Sequence, residues 1–271
     1  MNLQKKNQKI KTKKSNSKKK KQIELNDNFN QENIFELEPM EIAKQLTIFE
    51  YDLFCEIGVS EFFNNAWYRT TKFEKSPNIV RIIDHFNSLS KFISTQIIQK
   101  QNLKERVKIV DSIIMTVTHL VEMRNFNTTV AFLAGLNSSS VYRLKRTFEK
   151  LSEKTMKKFE EIKEMFKADK AYSNLRFEMK KSQKPFIPYL GLFLTDLTFI
   201  HEGNPDSLND LINFTKLRFE YNVLTEFYSG LDGNFDFIPI PQFQRILYLG
   251  LKGISERKQY DLSLKIEPRK R

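Results

Sequence analysis

The sequence predicts an all-α fold: one multi-helix domain over residues 36–269, behind a disordered lysine-rich tail over 1–35. Three observations carry that reading. Apolar residues recur at spacings of three and four over long stretches, as one face of an α-helix requires. No convincing segment alternates apolar and polar residues with the period of two that a half-buried strand needs. Prolines and glycines fall between the periodic stretches or at their first turns, where helices start and stop.

The tail comes first. Residues 1–21 hold ten lysines and no acid. Few apolar residues precede Ile34, so the segment cannot bury enough surface to offset the entropy of ordering it. The whole chain has 45 basic and 33 acidic residues, so beyond residue 21 the balance is 35 to 33. The basicity therefore belongs to the tail. Three uses suit such a tail: keeping the chain soluble, attraction to anionic cytoplasmic lipid, or nuclear import through KKSNSKKKK. It has no apolar core of a secretory signal.

Helical patterning begins at Phe35. Pro39 occupies a first-turn position, and Ile42, Leu46, Phe49, Leu53 and Ile57 follow. Leu103, Val107, Val110, Ile114, Val117 and Val121 form the clearest amphipathic stripe. Phe126, Val130 and Leu133 continue it, and Phe159, Ile162 and Phe166 mark another helix. The stretch FIPYLGLFLTDLTFIHEGNP, residues 186–205, reads as an apolar helix with a sharp stop at Gly203-Asn204-Pro205. Leu208, Leu211, Ile212, Thr215 and Phe219 predict a further helix, and the prolines in FDFIPIP, residues 235–241, predict a loop.

Several chemistries are missing. Eight glycines form no phosphate-cradling loop of either common pattern. Three histidines and one cysteine lack metal-ligand spacing, and Cys55 alone allows no internal disulfide, as suits a reducing compartment. His119 reads as a hydrogen-bonded core residue. No apolar run reaches the ~20 residues of a membrane-spanning helix. Composition alone points to a helical binding or regulatory protein.

Two segments are more specific. One is NSSSVYRL at 137–144, preceded by RNFN at 124–127. The other is PFIPYLG at 185–191, running into LTDLTFIHEGNP at 194–205. Supporting pieces follow in order: PMEIAKQLT from Pro39, SPNIV from Ser76, LKERV from Leu103, LINF from Leu211 and SLKIEPR from Ser263. Together they resemble the catalytic domain of Ras-family guanine-nucleotide exchange factors, over about Leu37 to Arg269.

The resemblance implies a protruding helical hairpin that displaces the switch 1 segment of a small GTPase and disrupts its Mg²⁺ and phosphate site. The first arm runs from about Tyr189 to His201, the turn is Gly203-Asn204-Pro205, and the return arm starts at Asp206. Glu202 matches the tip carboxylate and Thr198 the position that crowds the Mg²⁺ site, where relatives can carry a larger apolar residue. On spacing alone, Glu202 could instead merely precede a helix-capping glycine. Phe193, Leu197 and Phe199 would support the hairpin, and Asn204 would contact the GTPase. Ile82, Val130, Tyr142 and Tyr189 would line a pocket for an aromatic side chain of switch 2, with Asn137 adding a polar contact. Val130 reads equally well as core; Asn137-Ser138 could be a helix N-cap, but Asn137 and Tyr142 read better as interface, since both need polar partners. Asp84 departs from the pattern, since some relatives carry an arginine there.

The expected activity is GDP release and GTP loading on a Ras- or Rap-type GTPase. It makes and breaks no bond, and the chain carries no cofactor, because GDP, GTP and Mg²⁺ belong to the partner. A non-catalytic GTPase-binding adaptor is the alternative. The chain is expected to be a cytoplasmic monomer that binds no nucleic acid. Its tail would offer a second contact at the inner face of the plasma membrane. Many relatives carry an N-terminal module that supports the hairpin; here only the tail precedes Phe35.

Overall fold

Short polar caps and first-turn prolines set where the helices begin. The computed structural model describes residues 29–269. Helix α1 (Pro39–Cys55) starts on Pro39, and α3 (Pro77–Gln99) on Pro77 after the one-turn α2 (Lys72–Lys75). Proline suits a first turn, where its missing N–H would have no partner in any case. The Asn102 side chain caps α4 (Leu103–Glu122), and Asn125 caps α5 (Phe126–Leu136). Two single turns, α6 (Ser139–Tyr142) and α7 (Lys145–Phe148), lead to α8 (Glu153–Met165), capped by Ser152. Helix α9 (Ser173–Lys181) precedes α10 (Leu190–Gly203). Strands β1 (Ser207–Leu208) and β2 (Leu211–Ile212) pair antiparallel before α11 (Phe214–Ser229). Helices α12 (Pro241–Leu249) and α13 (Glu256–Ile266) close the chain.

The core lies between α1, α3, α4 and α5. Ile42 and Phe54 of α1, Ile93 and Ile97 of α3, Ile114 of α4 and Phe132 of α5 are fully buried in it. Helices α3 and α5 approach so closely that a Cβ on Gly135 would lie 2.7 Å from the Ser90 carbonyl oxygen. Only glycine fits that crossing. Arg106 anchors the C-terminus. Buried on α4, it donates to Thr147 Oγ1 at 2.8 Å and to the Lys100 carbonyl at 2.7 Å, and it faces Glu267 at 3.5 Å. Glu267 also accepts from the Thr147 hydroxyl at 2.7 Å. The closing SLKIEPR segment is therefore a structural tie.

The all-α expectation holds, with three differences of detail. Gln31–Glu36 is a 3-10 helix that buries Ile34 and Phe35, so the tail ends earlier than residue 35. These two side chains suffice to dock a short segment that looks polar by composition. The rest of the tail, residues 1–28, lies outside the described residues. Second, Leu208, Leu211 and Ile212 sit on the β1–β2 turn rather than on a helix, and all three are exposed. Asn209 and Asp210 between them have φ of 50° and 64°. Two successive left-handed residues are what a tight hairpin turn needs, and Asn and Asp tolerate that conformation. Third, His119 is only half-buried, with Nδ1 2.8 Å from Glu122 Oε2. The 235–241 segment is a loop up to Pro241, as its prolines require.

Candidate functional site

The stretch before α10 is held on both sides by backbone. Phe186 N–H donates to the Gly230 carbonyl at 2.7 Å, and Ile187 exchanges bonds of 2.9 Å with Arg124 and Phe126. Asn127 then reaches across. Its Oδ1 accepts from Leu190 N–H at 3.1 Å, and its Nδ2 donates to Glu50 Oε1 at 2.6 Å. One side chain thus ties the start of α10 to the middle of α1. Burial pushes the Glu50 carboxyl up to about 7, against the pull of hydrogen bonds from Asn127 and Asn125. RNFN is therefore a joint: Asn125 caps α5 and Asn127 bolts α10 to the core.

Helices α10 and α11 run antiparallel. Near the root the Phe193 and Phe227 rings meet at 5.4 Å, and near the turn His201 Nδ1 lies 3.1 Å from Lys216 Nζ. Residue numbers rise along one helix as they fall along the other. Leu192, Phe193, Leu194 and Leu197 are buried, whereas Phe199 is 70% exposed. Phe193 and Leu197 stand one turn apart on the inward face. Phe199, two residues on, points nearly the opposite way. It does not brace the hairpin as expected.

Asn204 folds back so that Nδ2 donates to the Ile200 carbonyl at 2.9 Å, ending α10. Asn213 closes the far side of the turn, bonding Asp206 through its backbone and the Pro205 carbonyl through its side chain. The Lys216 ammonium pairs with Asp206 and holds that carboxyl below its ordinary range.

Glu202 lies on the exposed last turn of α10, with no hydrogen bond or ion pair to any described residue. The capping-glycine reading does not fit. Gly203 lies inside α10 without a left-handed backbone, and Asn204 is the cap. A Cβ on Gly203 would meet nothing within 4 Å. Thr198 is half-buried, one turn before Glu202, and its hydroxyl donates to the Leu194 carbonyl at 2.8 Å.

The remaining expected contacts do not form one pocket. Ile82 and Tyr189 line a depression with Phe86, Asn127, Leu190 and Leu194. Tyr189 packs on Phe86 and Tyr172, and burial pushes its phenol up to about 12. Asn137 and Tyr142 line a second cleft, floored by Phe148 and Phe159 and flanked by Lys145 and Lys163. Lys145 Nζ stands 4.0 Å from the centre of the exposed Tyr142 ring. Asn137 is the C-terminal cap of α5, and Ser138 precedes α6 without a side-chain capping bond. Val130 is half-buried against the core and lines neither depression. Asp84 is exposed on α3. Sequence reasoning did not single out Glu50, Asn127 or Lys216; the RNFN and LINF pieces were the signals at hand.

The family model described as RasGEF domain matches residues 41–218. Ras guanine nucleotide exchange factor J of Dictyostelium discoideum is 35% identical over 237 residues, 87% of this chain and 29% of the relative. Ras guanine nucleotide exchange factor A of the same organism is 34% identical over 251 residues, 88% of this chain and 41% of the relative. Ras-specific guanine nucleotide-releasing factor 1 of Mus musculus is 31% identical over 237 residues, 87% of this chain and 19% of the relative. The chain thus spans less than half the length of each of these relatives.

Proposed function

The chain belongs to the RasGEF domain family, and on that premise we propose that it releases GDP from a small Ras-type GTPase so that GTP can enter. One observation carries the reading: Glu202 is an exposed carboxylate, unpaired among the described residues, on the last turn of α10, whose start is bolted to the core through Asn127 and Glu50. A carboxylate delivered on such an arm can reach a partner's Mg²⁺ and phosphate site. There it would compete for the hydroxyl that ligates Mg²⁺ and repel the α-phosphate.

The energetics set the demand. A nucleotide held at picomolar strength is worth about 16 kcal/mol, so the factor must favour the empty GTPase by a comparable amount. Coupling is reciprocal, and incoming nucleotide then expels the factor. The interface should exceed ~2,000 Å² in total. Tyr189 and Ile82 would receive one part of the switch 2 segment, and Tyr142 and Asn137 another. Val130 would add a half-buried apolar contact, and Asp84 would bias the choice of partner through charge. Thr198 would crowd the ion only partly, because its hydroxyl is turned back onto the helix. The absent side chain at Gly203 leaves room for close approach beside Glu202. Asn204 would act through the shape of the turn it begins. Nucleotide and Mg²⁺ come with the GTPase; the chain supplies no cofactor. The tail adds attraction to anionic lipid.

Release of fluorescent GDP from a panel of Ras, Rap and Ral GTPases tests this proposal. Acceleration on at least one member is expected. Binding without acceleration on every member would instead favour the adaptor reading, to which Thr198 and Asp84 lend themselves.

A further inference from the structure

A charged side chain lies inside the hairpin itself. Lys216, on the first turn of α11, is only 4% exposed. Its ammonium pairs with Asp206 of the turn and lies 3.1 Å from Nδ1 of His201 on α10. A neutral imidazole accepts at one nitrogen only. The Lys216 contact takes that nitrogen, and the 3.5 Å approach of the Arg69 guanidinium to Nε2 is then a packing contact from outside. Glu220, one turn further along α11, is a further charged group at this place beside Arg69, and burial raises its carboxyl. The ammonium therefore joins three pieces of chain: the arm that ends in Glu202, the turn, and the returning arm.

Hydrophobic packing alone could have filled this position. A methionine has a similar volume and avoids the cost of taking an ammonium out of water. A buried charge on one arm with partners on the other arm and on the turn fixes direction instead: hydrogen bonds are directional, whereas apolar contacts let two helices slide. His201 is bonded to Lys216, and Glu202 is the next residue.

We infer that Lys216 is a positioning residue for exchange, locking α10 to the turn through His201 and Asp206 so that the Glu202 carboxylate is held in one direction. The inference rests on the proposed role of Glu202. It also assigns His201 and Asp206 a shared part in the lock.

The test uses the full chain and the GTPase on which it is fastest. Limiting GDP-release rate, half-saturating GTPase concentration and melting temperature are measured for wild type, Glu202→Ala, Lys216→Met, Lys216→Arg and the Glu202→Ala/Lys216→Met double variant. Lys216→Met should slow the limiting rate about tenfold or more, since small misplacements of a reacting group are expensive. Half-saturation should stay within about twofold, because the docking surfaces are elsewhere. Lys216→Arg should recover most of the rate. The double variant should be no slower than Glu202→Ala alone, because residues acting through one group are not additive. Multiplied losses would overturn the inference, as would a slow Glu202→Ala beside an unaffected Lys216→Met. In both of those cases the role of Glu202 survives, whereas a Glu202→Ala at wild-type speed removes that role as well. Should Lys216→Met melt early, Asp206→Asn on the exposed turn replaces it. Loss of rate confined to the Glu202-containing background supports the lock, and equal loss in both backgrounds overturns it.

Discussion

Replacing Glu50 by Gln should change how stability depends on pH. Glu50 is 1% exposed. Its Oε1 accepts from Asn127 at 2.6 Å, while its Oε2 has no partner among the described residues. Burial raises the carboxyl from 4.5 to about 7. Between those pH values the folded chain keeps a proton that the unfolded chain has lost, so this group makes stability fall as pH rises, with no further change above 7. A separation of about 2.5 pH units at ~1.4 kcal/mol each gives a full swing of roughly 3–4 kcal/mol. His85 opposes it. Burial, aided by the Arg81 charge, lowers that imidazole from 6.5 to about 4. In that window the unfolded chain holds the extra proton, and stability rises with pH. The two slopes overlap, so the wild-type profile should be shallow. Glu50→Gln removes one of them. Denaturant unfolding of both proteins at pH 5, 6, 7 and 8 should show the variant gaining on wild type by about 2–3 kcal/mol from the lowest pH to the highest. An offset common to all four pH values only measures the amide placed at the orphan oxygen. Parallel curves would refute the reasoning, because Glu50 would then ionise alike in both states.

Other substitutions probe packing and pairing. Phe193→Ala, which removes a ring from against Phe227, should cost about 3–5 kcal/mol in denaturant unfolding. Phe199→Ser, six residues along the same helix, should stay within about 0.5 kcal/mol, because that ring faces solvent. Arg106→Met should cost about 3–5 kcal/mol by leaving the Glu267 carboxylate buried without its cation. Its melting curve should recover in the Arg106→Met/Glu267→Gln double variant.

The parts of the fold legible in the sequence were the local ones. Helix α4 announced itself because its buried face runs from Val110 to Leu120 without interruption. Pro39 marked the start of α1 because the rule for first-turn proline is local chemistry. The β1–β2 turn was hidden because Leu208, Leu211 and Ile212 are spaced as on a helix. The Asn209-Asp210 pair was the stronger signal, since only a turn suits two left-handed residues in succession. The resemblance points to Glu202, whereas it says nothing of the parts that hold its helix. Asn127 meets Glu50 across 77 positions and Leu190 across 63, and no periodicity reports such pairs. The two-cleft arrangement of Ile82 with Tyr189 and Asn137 with Tyr142 likewise depends on how α3, α5 and α10 sit together.

The most direct measurement is the rate at which a Ras-type GTPase loses fluorescent GDP under saturating amounts of this chain, with and without the Glu202 carboxylate. Glu202→Ala should slow release by about tenfold or more while melting within a degree or two of wild type, since the exposed side chain has no hydrogen bond or ion pair among the described residues. A variant that releases GDP within twofold of the wild-type rate would contradict the account.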